Sequence, residues 1–307
     1  MYRIRFHGRG GQGMKTAAYM LGSAFFREGF EVQDAPRYGA ERRGAPMVAS
    51  VRAARARINE RGVIRRPDLV IVADDTLMPV AAAGVLDGIT AHTVLLVHGA
   101  TPADAWRERL HLEGRVVGLP VAGVPEAGTD LPYVGAACAG AAARLVGVIG
   151  RAAVAGAVAD ELPDQPAEIV ARNRAQALAA FDALADHAGI VTEGAEPDVA
   201  TAPAPDWVTL PLDAVDRAAP DIHATVTSVL TPTGLWRTMR PVIDLTHCHR
   251  CSWICGTFCP DGAVLIDADR TPRIDYDHCK GCLVCVAVCP HHAIGAIPER
   301  EAQETRR

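Results

Sequence analysis

The sequence predicts an α/β layered domain with a mostly parallel sheet, followed by a small α+β domain organised around cysteines. Three observations carry that expectation. Short apolar runs alternate with helical periodicities up to about residue 190, a proline- and acid-rich interval occupies 191–206, and eight of nine cysteines fall within 248–289. Strands alternating with helices imply parallel strands joined by crossovers that cover both faces of a sheet. A chain of 307 residues with 49% hydrophobic content can bury more than one core. The expected division is 1–190 for the α/β domain, 191–206 for a linker, 207–298 for the cysteine-bearing domain and 299–307 for a charged, frayed tail.

Each element has its own signal. Tyr2–His7 alternates as a short strand, and GRGGQG at Gly8–Gly13 turns the chain into a helix over Met14–Arg27. Met14, Ala17, Ala18, Leu21 and Phe25 form one stripe of that helix. Leu69–Ala73 and Thr93–Val97 are apolar runs too short for helices and suit buried parallel strands. Asp74 and Asp75 end the first run, and a helical segment is expected from near Thr76. Gly135–Ala159 reads as one long alanine-rich helix and Glu168–His187 as a second. Residues 207–242 read as an irregular stretch suited to draping over a neighbouring subunit.

The formal charge of −5 with 22% charged residues argues against a nucleic-acid coat or an anionic-membrane binder. Lys15 and Lys280 are the only lysines, so the positive charge is almost all arginine, which pairs bidentately with carboxylate or phosphate. No stretch reaches the ~20 apolar residues of a membrane span, and MYRIRFHG lacks the apolar core of a signal peptide. The expectation is a cytoplasmic protein without membrane or nucleic-acid partners. Clustered cysteines in a reducing compartment point to metal rather than disulfides.

The second cysteine group is Cys279-x2-Cys282-x2-Cys285-x3-Cys289-Pro290. This is the bacterial ferredoxin spacing: one loop wraps three corners of a cubane, and the fourth cysteine, before proline, ligates the other cluster. The first group, Cys248-x2-Cys251-x3-Cys255-x3-Cys259-Pro260, has one extra residue between its second and third cysteines. The crossover then assigns Cys248, Cys251, Cys255 and Cys289 to one [4Fe-4S] cluster and Cys279, Cys282, Cys285 and Cys259 to the other. A bulge at residues 252–254 absorbs the extra residue, with Trp253 shielding the cluster from water. Between the groups, AVLIDADRTPRIDYDH supplies two short strands around a turn, and Ala263-Val264 and Ala293-Ile294 repeat after each Cys-Pro. Structural zinc is the competing reading, since it also takes four thiolates, but it requires neither the third cysteine of each loop nor the paired Cys-Pro. His247, His249, His278, His291 and His292 are alternative ligands or surrounding groups, and His249, Arg250 and Lys280 can balance cluster charge.

The glycine-rich turn has two readings. Gly8, Arg9, Gly10, Gly11, Gln12 and Gly13 either present amides to an anion or simply let a helix pack on the sheet. The loop departs from the dinucleotide fingerprint, no acid ends a clear second strand (Asp34 is nearest), and Lys15 lies outside the Walker frame. Arg37, Arg42, Arg43, Arg52, Arg55, Arg57, Arg61, Arg65 and Arg66 face only Glu41 and Glu60 between residues 37 and 66. Such a run is either a solvated face or a docking surface for an acidic partner or phosphorylated cofactor.

Residues 6–52, with RGGQG at Arg9–Gly13 and YGAERRGAP at 38–46, resemble the gamma subunit of the 2-oxoacid:ferredoxin oxidoreductases, such as pyruvate:ferredoxin oxidoreductase. The likeness continues through Pro67–Leu77 and more loosely to residue 187, and the cysteine domain is similar to the delta subunit, a two-cluster ferredoxin. The chain thus resembles a fused gamma–delta subunit. The resemblance implies a complex that converts a 2-oxoacid, pyruvate by default, to acyl-CoA and CO2 or the reverse. It places thiamine diphosphate and Mg2+ on alpha and beta partner subunits, makes coenzyme A the co-substrate, and makes ferredoxin or flavodoxin the acceptor. It makes this chain non-catalytic alone, with Gly8–Gly13, Arg42 and Arg43 facing partners or coenzyme A. The family's first group has C-x2-C-x2-C, so Cys251-x3-Cys255 departs from it. A stand-alone nucleotide- or flavin-linked iron–sulfur reductase is the alternative.

Overall fold

The computed structural model describes residues 1–37, 44–99, 101–119, 133–194 and 232–304. Strand β1 (Tyr2–Arg9) leads into helix α1 (Met14–Arg27), which begins where the sequence places it. Strands β2 (Glu31–Arg37) and β3 (Pro46–Ala54) follow, then β4 (Leu69–Val72), β5 (Val94–Val97), helix α2 (Ala103–Arg109) and β6 (Arg115–Gly118). Together they form one six-stranded sheet of order β2-β3-β1-β4-β5-β6. The pairs β1–β4, β4–β5 and β5–β6 are parallel, while β3 runs antiparallel to both β1 and β2. The sheet is therefore mostly parallel, with an antiparallel extension on one side.

That extension was not legible as strand. Arginine-rich sequence reads as surface, yet β3 hides Ala49, Val51 and Ala53 on the core side and Arg52 on the other. The Arg52 guanidinium donates to the Gln33 side chain at 3.1 Å and the Gly62 carbonyl at 2.8 Å. Arg52 is therefore no part of a surface field, whereas Arg55, Arg57, Arg61, Arg65 and Arg66 are exposed.

Helix α3 (Gly135–Val146) packs with α1 over the sheet, and α4 (Arg151–Asp160) and α5 (Ala167–Ala183) complete that layer. All five stripe residues of α1 are buried there, and a large apolar side chain so placed stabilises by about 1.5–3 kcal/mol. Residues 135–159 are two helices, not the single one expected. Gly147 adopts φ 77°, a left-handed conformation that ends a right-handed helix without a Cβ penalty. The ninth cysteine, Cys138, is wholly inside α3, where burial pushes its thiol up to about 12. It is a packing residue.

On the opposite face, the helix expected from Thr76 is replaced by 3-10 turns at Asp75–Leu77 and Ala81–Ala83. The Asp74 carboxylate accepts from the Thr76 amide, and Pro79 prevents a longer helix. These turns and α2 enclose a smaller core around Val70, Val72, Leu95 and Trp106.

In the second unit, β7 (Met239–Ile243) precedes α6 (Ile254–Thr257), β8 (Val264–Ile266), β9 (Pro272–Ile274), α7 (Val284–Val288), β10 (Ile294–Pro298) and α8 (Glu299–Glu304). Strands β7 and β10 pair antiparallel, as do β8 and β9, the two short strands anticipated between the cysteine groups. Two expectations change here. Residues 239–242 are strand rather than irregular chain, and Gly234–Trp236 is a 3-10 turn. The tail beyond Pro298 does not fray at its start, because Glu299 is buried between two arginines. The expected linker lies almost entirely outside the described residues, as do 207–231.

Candidate functional site

The cysteine unit is built twice from one local plan. Asp244-x-x-His247-Cys248 and Asp275-x-x-His278-Cys279 open the two loops, with His Nδ1 2.6 and 2.7 Å from the respective aspartate. The Ala263 amide donates to Cys259 Sγ at 3.3 Å, and its carbonyl accepts from the Asp275 amide at 2.8 Å. The Ala293 amide donates to Cys289 Sγ at 3.3 Å, and its carbonyl accepts from the Asp244 amide at 2.8 Å. The repeated Ala after each Cys-Pro is thus a sulfur-facing donor that also ties one half to the other. The paired Asp-x-x-His was readable as a repeat before each first cysteine and was missed.

The four thiols Cys248, Cys251, Cys255 and Cys289 line one enclosed cavity, and Cys259, Cys279, Cys282 and Cys285 line another. Each cavity takes three cysteines from one loop and the fourth from the other. The walls are otherwise largely apolar, with Ile243, Ile254, Pro272 and Ile294 around the first and Val264, Ile274, Leu283 and Val284 around the second. Soft thiolates in a dry shell with amides aimed at sulfur suit an iron–sulfur cluster. Burial pushes the Cys255 and Cys279 thiols up, and Cys285 up to about 11. A bound cluster would take these sulfurs as thiolates and so would displace their protons.

The extra residue of the first loop can be located. In the second loop Gly281 (φ 71°), Cys282 and Leu283 (φ 61°) lead into α7, with Cys285 two residues after Leu283. In the first, Arg250 (φ 47°), Cys251, Ser252 and Trp253 (φ 52°) lead into α6, with Cys255 two residues after Trp253. Both left-handed positions and the helix-to-cysteine register are kept. The insertion is Ser252 alone, and it is exposed.

None of the five histidines replaces a thiol. His247 and His278 are held by carboxylates, and His249 stacks on His291 with centroids 4.2 Å apart beside the first cavity. Lys280 pairs with Asp261 at 3.0 Å beside the second. Among the described residues, no three His, Cys, Asp or Glu stand close enough to hold a single ion.

The glycine-rich loop sits at the carboxyl end of β1. Gly8 and Arg9 belong to the strand and are buried, Gln12 is buried with its side chain accepting from the Arg9 amide at 2.7 Å, and Gly11 is exposed at the tip. The Gly10 amide donates to Ala45 at 2.8 Å. Arg9 faces inward, donating to Asp74 at 2.8 Å, Thr76 at 2.8 Å, the Gly44 carbonyl at 3.1 Å and the Leu235 carbonyl of the second unit. Gly13 begins α1 with Tyr133 against it. Arg42 and Arg43 lie outside the described residues. A cleft of about 430 Å³ between the two units is lined by Arg9, Thr76, Leu235, Arg237, Arg240, Tyr276 and Glu299. Its floor is a network that no sequence spacing announces. Arg237 donates to Glu299 at 2.6 Å and to the Tyr276 and Cys279 carbonyls at 2.7 Å, and Arg240 donates to the same carboxylate at 3.0 Å.

Residues 3–183 match the pyruvate ferredoxin/flavodoxin oxidoreductase family, and residues 240–301 match the 4Fe-4S dicluster domain. The "Pyruvate synthase subunit PorC" of Methanocaldococcus jannaschii is 36% identical over 160 residues, 52% of this chain and 85% of that protein. The "Pyruvate synthase subunit PorD" of the same organism is 45% identical over 74 residues, 24% of this chain and 85% of that protein. Among solved structures, the pyruvate oxidoreductase subunit PORC of Thermotoga maritima is similar at 27% identity and TM-score 0.48, over 59% of this chain and 95% of that one. Two subunits that are separate proteins in M. jannaschii thus correspond to successive parts of one chain here. No helix among the described residues is long and apolar enough to cross a membrane. The chain belongs to the pyruvate ferredoxin/flavodoxin oxidoreductase family and joins that family's domain to an iron–sulfur dicluster domain in one polypeptide.

Proposed function

We propose that this chain is the fused gamma–delta subunit of a cytoplasmic 2-oxoacid:ferredoxin oxidoreductase, acting on pyruvate, and that it carries electrons through two [4Fe-4S] clusters. Thiamine diphosphate, Mg2+ and the oxoacid are bound by alpha and beta partners, coenzyme A is the acyl acceptor, and ferredoxin or flavodoxin takes the electrons. The observation that carries this reading is the pair of thiol-lined cavities, each completed by a cysteine of the other loop. When bound, each cluster supplies a one-electron carrier. Cys248, Cys251, Cys255 and Cys289 would hold one, and Cys279, Cys282, Cys285 and Cys259 the other. The apolar walls exclude water, and the Ala263 and Ala293 amides orient Cys259 and Cys289. The α/β unit supplies the platform on which the cysteine unit docks, with Gly11 and the exposed arginines turned towards partners.

A stand-alone nucleotide- or flavin-linked reductase is disfavoured, because Arg9, Gln12 and Gly10 of the glycine-rich loop are spent on contacts within the chain. Zinc is disfavoured because a tetrahedral site requires neither the third cysteine of each loop nor the paired Cys-Pro. Anaerobic reconstitution should yield roughly eight irons and eight labile sulfides per chain. Cys259→Ala and Cys289→Ala should each remove about four irons. Two tightly held zinc ions and no visible absorbance would sink the proposal. The native complex should reduce a dye with pyruvate only when coenzyme A is present.

A further inference from the structure

The two cluster loops are near copies, so their differences mark what sets the two centres apart. The donors shared by both halves, Ala263 to Cys259 and Ala293 to Cys289, are at the same 3.3 Å and contribute alike. The residue that starts the helix does not match: Leu283 in the second loop, Trp253 in the first. Trp253 lines the cavity of Cys248, Cys251, Cys255 and Cys289. Its Nε1 is buried and has no hydrogen-bond partner in the protein. Arg270 lies with its guanidinium 4.4 Å from the centre of the indole ring, which holds the ring in place and draws electron density from it. A buried indole N–H without an acceptor is costly, and an indole offers a donor only. The strongest acceptors such a cavity can offer are the negatively charged sulfurs of a bound cluster.

We infer that Trp253 donates its Nε1–H to a sulfur of the cluster held by Cys248, Cys251, Cys255 and Cys289, making that centre the easier of the two to reduce. The inference rests on the cluster reading above and goes further, since it orders the two centres. Reduction adds an electron to a cluster that is already anionic, and a charge-assisted hydrogen bond to sulfur strengthens as that charge grows. Leu283 offers the other cluster only hydrocarbon. The insertion of Ser252 shifts no ligand register and only lengthens the exposed arc ahead of Trp253. His249, Arg250 and His291 also line the first cavity and Asp261 and Lys280 the second, but among these lining residues it is the indole that brings a buried N–H without a partner in the protein.

The test is a redox titration of the reconstituted full-length chain, followed by electron paramagnetic resonance, for the wild type and Trp253→Phe. The variant keeps an aromatic wall and removes the N–H. The wild type should show two midpoints, and the higher one should fall in the variant by about tenfold in its reduction equilibrium, ~59 mV for a one-electron couple. The lower midpoint should stay. Pulsed resonance on wild-type protein carrying 15N-indole tryptophan should show a nitrogen coupling to the more easily reduced centre. That measurement decides the matter if Trp253→Phe loses iron. A wild type with roughly eight irons but no 15N coupling, or unmoved midpoints, overturns this inference and leaves the cluster reading standing. A wild type that binds zinc and no iron overturns both.

Discussion

Arg9 and Asp74 stand 2.8 Å apart with 4% and 13% of their side chains exposed, and the same guanidinium reaches the Leu235 carbonyl on the cysteine unit. A residue that the glycine-rich motif would offer to a ligand is instead a tie between the two halves of the protein. Arg9→Met leaves the largely buried Asp74 carboxylate without its cationic partner, and losing one member of such a pair costs about 3 kcal/mol. Thermal unfolding should shift down, and hydrogen exchange should quicken at residues 234–243. Arg9→Lys should recover only part of this, because a point charge cannot serve four acceptors in different directions. Unchanged exchange in Arg9→Met would contradict the assignment.

Glu299 connects the last helix to the second cluster loop. Burial works to raise its pKa, but hydrogen bonds from Arg237 and Arg240 outweigh it and hold the carboxyl below its ordinary value. Arg237 also grips the Cys279 carbonyl. Glu299→Gln should free both guanidinium groups, cost about 3 kcal/mol, and speed bleaching of the visible absorbance by an iron chelator. The faster loss should come from the centre that includes Cys279. Because the folded pKa is depressed, this support is present above the ordinary carboxylate pKa and is lost as pH falls from there through the lower folded value.

Deleting Ser252 should leave the iron content unchanged at roughly eight per chain. The deletion makes Trp253 follow Cys251 as Leu283 follows Cys282, so the left-handed turn and the helix register carry over. Loss of about four irons from this variant would show that the longer loop is a requirement of the first cavity and no mere exposed excess.

His7 is buried on β1, and desolvation, then the nearby Arg5 charge, lower its pKa from 6.5 to about 3. Its Nδ1–H donates to the Ala83 carbonyl at 3.1 Å. Between these two values the unfolded chain binds a proton that the folded chain does not, so stability falls as pH drops from 6.5 towards 3. His7→Gln removes that titration. Its urea midpoint, followed by the fluorescence of buried Trp106, should vary less between about pH 7 and 5 than the wild type's. Parallel profiles would contradict this.

Much of the protein was legible because its strongest signals are local. The helix at Met14–Arg27, the strands at Leu69 and Val94 and the two short strands between the cysteine groups follow from periodicity and spacing within a few residues. What was missed depends on partners far away in the chain. Arg52 reads as surface until Gln33 and Gly62 are brought to it. Glu299 reads as a frayed tail until Arg237, 62 residues earlier, closes on it. The merged helix failed for a local reason, since alanine periodicity outvoted Gly147 and the left-handed turn it makes.

Among the described residues, the two units meet through polar contacts, Arg9 to the Leu235 carbonyl and Arg300 to Asp75, and through the close approach of Gly44 to the Trp236 backbone. Between separate proteins, an interface of that kind would exchange readily with the surrounding pool. On one polypeptide the second partner is present at a millimolar effective concentration whatever the cell contains. Fusion therefore fixes a one-to-one stoichiometry that dilution cannot undo.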